Sequence, residues 1–122
     1  MKRMLKDIDH IQIAIPNDEE DTARTFYGGL LGMEEIDKPK NLKTRGGVWF
    51  RIGDRQVHMG VQEDFRPATK AHPAFIVDDL QHVQRVLESH GYPIINDEPL
   101  PGFQRFYSRD PFGNRLEFLQ QI

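Results

Sequence analysis

The chain of 122 residues contains no cysteine. That excludes disulfides, iron–sulfur clusters, thiol nucleophiles and cysteine-ligated zinc. It has no run of one charge sign long enough to serve as an interaction tail. Its 16 basic and 19 acidic residues are interspersed and sum to −3, so a nucleic-acid partner is not expected. No apolar stretch follows the charged start Met1-Lys2-Arg3-Met4-Leu5-Lys6, and none elsewhere is long enough for a membrane span. A cytoplasmic protein with no membrane association is the expectation. Gly28-Gly29 is not followed by a phosphate-loop pattern, so nucleotide binding has no support.

What is present is periodicity. Ile11, Ile13 and Ile15 alternate with His10, Gln12 and Ala14, as in a half-buried strand that Pro16 ends. Asn17 or Asp18 is then placed to cap a helix with an acidic first turn. Ala23, Phe26, Tyr27, Leu30 and Leu31 form its apolar stripe. Gly28 and Gly29 interrupt that helix, so that it is marginal or ends early, and Gly32 is a natural stop. A short strand is expected over 33–37 and a loop over 38–46. A hairpin turning at Gly53-Asp54 would pair Phe50 with Val57, Trp49 with His58 and Arg51 with Gln56. The second half repeats the order. A second alternating strand sets Pro73, Phe75 and Val77 opposite His72, Ala74 and Ile76. A helix capped by Asp78 or Asp79 buries Leu80, Val83, Val86 and Leu87, and Gly91 stops it. A short strand is expected over 92–96. The last hairpin, with Asp110-Pro111-Phe112-Gly113-Asn114 as its turn, pairs Phe106 with Phe118 and Tyr107 with Glu117.

The halves superpose in sequence. His10 and His72 open the first strands 62 residues apart, while Gly32 and Gly91, like His58 and Glu117 in the last strands, lie 59 apart. The expected fold is therefore α+β. A single domain over 1–122 is built from two modules, roughly 7–62 and 71–121, whose sheets curve around a cleft. Parity turns His10, His58, His72 and Glu117 away from the apolar faces and toward that cleft. A lone strand histidine is most often a satisfied polar group, but four such residues at repeat-equivalent places form a donor set. Three imidazoles and a carboxylate suit divalent Zn, Ni, Fe, Co or Mn. Gln12, Trp49, Arg51, Arg105 and Tyr107 share the polar faces and are candidate substrate contacts for an anionic or aromatic molecule.

Four segments carry a family resemblance. They are Asp9-His10-Ile11-Gln12-Ile13-Ala14-Ile15, Phe26-Tyr27 with Leu31-Gly32-Met33, Ala71-His72-Pro73-Ala74-Phe75, and Asp110-Pro111-Phe112-Gly113-Asn114-Arg115-Leu116-Glu117-Phe118. Together they resemble the vicinal oxygen chelate superfamily, which contains glyoxalase I, fosfomycin-resistance enzymes, extradiol dioxygenases and bleomycin-resistance proteins. The resemblance implies paired βαβββ modules, usually a homodimer, and metal ligands on the first and last strands of each module. Those positions here are His10, His58, His72 and Glu117, with Glu117 also the catalytic carboxylate. It implies a lyase, isomerase or dioxygenase acting on a small molecule with two adjacent oxygens. A metal-free protein that sequesters a ligand, of the bleomycin-resistance kind, is the alternative. Isomerases similar to glyoxalase I carry a carboxylate where this chain has His58, so strong glyoxalase I activity is not expected.

Overall fold

A computed structural model describes residues 2–122. Strand β1 (His10–Ile15) leads to α1 (Glu20–Ala23), which widens without a break into a π-helical stretch, Arg24–Leu30. Strands β2 (Glu34–Ile36), β3 (Val48–Ile52) and β4 (Arg55–Val61) complete the first sheet, in the order β1-β4-β3-β2. A 3-10 turn, Lys40–Arg45, bridges β2 and β3. In the second half, β5 (Ala74–Ile76), α2 (Leu80–Ser89), β6 (Phe103–Arg109) and β7 (Arg115–Gln121) follow, with sheet order β5-β7-β6. In each sheet the first strand lies parallel to the last, and every other pair is antiparallel. The fold is thus α+β with repeated modules. Among the described residues no helix is long and apolar enough to cross a membrane.

Both hairpins have the register that their turns predict. Trp49 pairs with His58 and Phe50 with Val57; Phe106 pairs with Phe118 and Tyr107 with Glu117. Three local expectations change. The first helix is capped by neither Asn17 nor Asp18. Its N-cap is Glu19, and Asp18 instead takes a left-handed conformation, φ 62°. The paired glycines do not end that helix but let it widen. Gly28 sits against the Phe50 ring, where a Cβ would lie 3.3 Å from Cε1. The strand expected over 92–96 shrinks to a single bridge, Ile95 with Tyr107. Pro93 lacks the N–H a longer ladder would need, and Pro99 and Pro101 follow closely. Asp79 caps α2 as expected, accepting from the His82 amide at 3.1 Å.

The apolar faces of both modules feed one core. Ile13, Ile15, Phe26, Tyr27 and Met59 share it with Leu87, Phe106, Leu116 and Phe118. The junction is locked by the turn between β6 and β7. Asp110, buried, accepts the Tyr27 hydroxyl at 2.6 Å, the Asn114 side-chain amide at 2.9 Å, and the backbone amides of Phe112 and Asn114. Asn114 also donates to the Ala14 carbonyl on β1 and accepts from the Ala68 amide, both at 2.9 Å. The Asp-Pro-Phe-Gly-Asn segment therefore clamps the second module onto the helix and first strand of the first.

Burial and the nearby Asp110 charge push the Tyr27 hydroxyl well above its ordinary range. A raised tyrosine pKa keeps the proton on in the folded state while the unfolded chain releases it near pH 10. The stability this contributes is present below about pH 10 and is lost as pH climbs above it. Tyr27→Phe is expected to cost about 1.5–3 kcal/mol at neutral pH, because the lost bond is to a charged acceptor. It should also make the loss of stability above pH 10 shallower. Urea unfolding of both proteins between pH 7 and 11 checks this; parallel curves would contradict it.

Candidate functional site

The donor residues fall into two pairs, one per module. On the first sheet, His10 and His58 stack at 4.1 Å between ring centroids, and Trp49 stacks on the other side of His58 at 3.6 Å, nearly parallel. His58 is buried and hydrogen-bonds Gln56 Oε1 at 2.9 Å. Burial, and then the neighbouring His10, hold its pKa below the ordinary histidine range. His10 is more open and pairs with Asp9 at 2.9 Å. Gln12 lies on the same face, its amide so close to Gly60 that a Cβ there would meet Nε2 at 2.2 Å. A cavity of about 410 Å³ opens over His10, Gln12, Trp49 and His58, and Lys38 and Arg45 line it too.

On the second sheet, His72 Nε2 lies 2.9 Å from Glu117 Oε1. His72 does not open the strand as expected but sits two residues ahead of β5, because the Pro73 it precedes has no N–H to give a ladder; the Glu117 amide donates to the Pro73 carbonyl. Its Nδ1 donates to the Lys70 carbonyl at 2.9 Å, which fixes the ring's orientation toward Glu117. Glu117 is buried, and its Oε2 accepts from Arg105 at 3.2 Å. Arg105 also donates to the Tyr107 hydroxyl at 2.8 Å. The Tyr107 ring meets His72 edge-on and carries the Arg115 guanidinium 3.9 Å above its face.

Among the described residues no three histidine, aspartate or glutamate side chains converge closely enough to hold a metal ion. The strand parity that brings His10 to His58, and His72 to Glu117, does not bring the two pairs together within one chain. Arg51 does not line the Trp49 cavity. It is exposed and ion-paired to Glu34 at 2.5 Å, its cross-strand neighbour. Lys38 and Arg45 take the place expected for it. The signal for them was present: between Asp37 and Asp54 the chain carries Lys38, Lys40, Lys43, Arg45 and Arg51 and no acid.

Two modules with a parallel first-and-last strand pair, each carrying polar donors on or just ahead of those strands, define a paired-module architecture. The model of the Glyoxalase/Bleomycin resistance protein/Dioxygenase superfamily matches residues 7–118. The chain belongs to that superfamily. It is similar to a solved Bacillus anthracis protein described as a glyoxalase family protein, at 46% identity over 100% of both chains and TM-score 0.93. Its fold is also that of a genomically encoded fosfomycin resistance protein from Listeria monocytogenes, at 15% identity, 98% and 94% coverage and TM-score 0.72. Lactoylglutathione lyase from Agrobacterium tumefaciens matches at 22% identity, with 90% of this chain and 91% of that one covered and TM-score 0.66. No curated protein matches the chain.

Proposed function

We propose that the protein is a metal-dependent enzyme of this superfamily, acting on a small oxygenated substrate, and that its site is completed between two copies of the chain. The observation that carries this is the separation of the donors into two pairs, each ordered within its own module. The buried clamp of Tyr27, Asp110, Asn114 and the Ala14 carbonyl holds the modules together, so the pairs are not free to close on one ion. A second copy supplies the missing half. His72 and Glu117 of one chain then meet His10 and His58 of the partner subunit. Met4, Leu5, Ile8, Ile52 and Ile76 are exposed apolar residues available to such a homodimer.

The donor types fit a divalent transition metal, which would supply Lewis-acid stabilisation to oxygens carrying developing negative charge. The chain's own residues do the rest. Glu117 is the one carboxylate among the four donors and the candidate for proton transfer at Oε2, the oxygen facing Arg105. Arg105 and the Tyr107 hydroxyl are the donors left to orient substrate oxygens, and the Trp49 and Tyr107 rings restrict water. His58 offers an imidazole where proton transfer in a glyoxalase I would use a second carboxylate. Formation of lactoylglutathione is accordingly not the reaction we assign.

One observation favours a second reading. Arg105 already neutralises Glu117, as a metal-free site that sequesters a ligand would require. Elemental analysis of protein purified without tag or chelator separates the two. About one transition-metal ion per chain is expected; a metal-free native protein that takes up none on titration would favour sequestration.

A further inference from the structure

The cavity over Trp49 is walled by a basic strap that the metal site does not use. Lys38, just ahead of the 3-10 turn, and Leu42 and Arg45 within it, line the cavity opposite the rings of His10, Trp49 and His58. The strap is docked rather than loose. Lys38 donates its ammonium to the Gly46 carbonyl, and Glu20 accepts the Gly47 amide at 2.8 Å. Gly46 and Gly47, at φ +73° and +85°, let the chain turn from the strap into β3. A Cβ on Gly47 would lie 2.2 Å from the Met59 carbonyl oxygen, so the strap returns hard against β4. The Arg45 guanidinium makes no hydrogen bond or ion pair among the described residues, and no carboxylate lines the cavity. Within one chain, two cations therefore line a cavity whose other walls are the rings, Gln12 and the apolar Leu42, Met59 and Val61, with no carboxylate of the same chain among them. Its volume of about 410 Å³ is in the range of small-molecule sites.

We infer that this cavity binds the anionic head of a small organic acid, with Lys38 and Arg45 holding the charge and the Trp49–His58 rings and Leu42 holding the carbon body. This rests on the proposed function, since it names the class of substrate presented to His10 and His58. Arg45 is the more specific of the two cations, because a guanidinium can engage a carboxylate or phosphonate through two parallel hydrogen bonds. Lys38 contributes a point charge and must leave its carbonyl partner or share its protons with the ligand.

The protein reports its own binding, because Trp49 is its one tryptophan. Fluorescence is to be titrated with benzoate, phenylphosphonate and inorganic phosphate as anions, benzamide as the neutral analogue and benzylammonium as the cation. Saturable quenching is expected with benzoate and phenylphosphonate, and none with benzamide or benzylammonium over the same range. Lys38→Gln and Arg45→Gln should each weaken binding by about tenfold, and added salt should weaken it in the wild type. Arg45 is exposed and Lys38 half-buried outside the core, so the variants are expected to fold, and circular dichroism verifies it. Equal binding of benzamide and benzoate, unchanged binding in both variants, or no saturable response to any anion would each overturn the inference. Repeating the titration on the His72→Ala/Glu117→Ala protein in chelator separates this from the metal reading. Anion binding that persists there while wild type takes up no metal would defeat the metal reading alone. Metal uptake with no anion response would defeat the cavity assignment alone.

Discussion

Asp110→Ala is expected to lose about 3–5 kcal/mol of stability, at the upper end for a single substitution. The Asp110 carboxylate accepts four hydrogen bonds, and three of the donors belong to Tyr27 and Asn114, both buried. Its removal strands the Tyr27 hydroxyl and two Asn114 donors in the core. Each unsatisfied group costs about 1–3 kcal/mol, less than additively, because the turn can relax and admit water. In a chain of this size that corresponds to a midpoint lowered by roughly 10–20 °C. Asp110→Asn keeps the shape and one acceptor oxygen, so it should fall between wild type and alanine. Thermal unfolding by circular dichroism checks the series. A loss under about 1 kcal/mol for the alanine variant would mean that the clamp is not what holds the modules together.

Much of this was legible in the sequence for a simple reason. Strand parity and hairpin turns are local codes. Gly53-Asp54 fixes Trp49 against His58, and the five-residue turn at Asp110 fixes Tyr107 against Glu117. The polar faces follow from the alternation, and so do the two donor pairs. The placement of one module on the other is not a local property. It is set by a shared core and by Asp110 and Asn114 reaching Tyr27 and Ala14, contacts that span 83 and 100 residues. Strand alternation therefore located each donor on its face without revealing that the pairs stay apart. Arg51 illustrates the same limit. Its parity with Trp49 is right, but its partner Glu34 belongs to a third strand whose register against β3 no turn signals. A loop over 38–46 gives Lys38 and Arg45 no direction, because loop composition reports solvation and not the way a strap folds back. The π-helical stretch has no sequence signal of its own, because a glycine pair signals helix weakness without saying how the helix yields.

The second large effect concerns Glu117. It is the one formal charge among the four donors and is held by His72 on one side and Arg105 on the other. Glu117→Gln preserves size but leaves three neutral imidazoles and an unneutralised Arg105 beside the ion. Loss of a ligand should exceed the 10–100-fold penalty typical of losing an outer-shell partner, so a fall in metal affinity beyond about 100-fold is expected. Calorimetric titration with Zn or Ni checks it, on protein whose circular dichroism matches wild type.

The central claim, that two copies of the chain complete each site, is tested most directly by mixing half-sites. His10→Ala/His58→Ala and His72→Ala/Glu117→Ala are to be prepared separately, and each is expected to bind no metal tightly. Refolded together they form mixed dimers, in which one interface joins the intact first module of one chain to the intact second module of the other. The predicted result is one tightly bound metal ion per mixed dimer, isolated by two different affinity tags. No recovered metal in a mixed dimer of proven composition, while the wild-type dimer binds two ions, would contradict the account and place each site within a single chain.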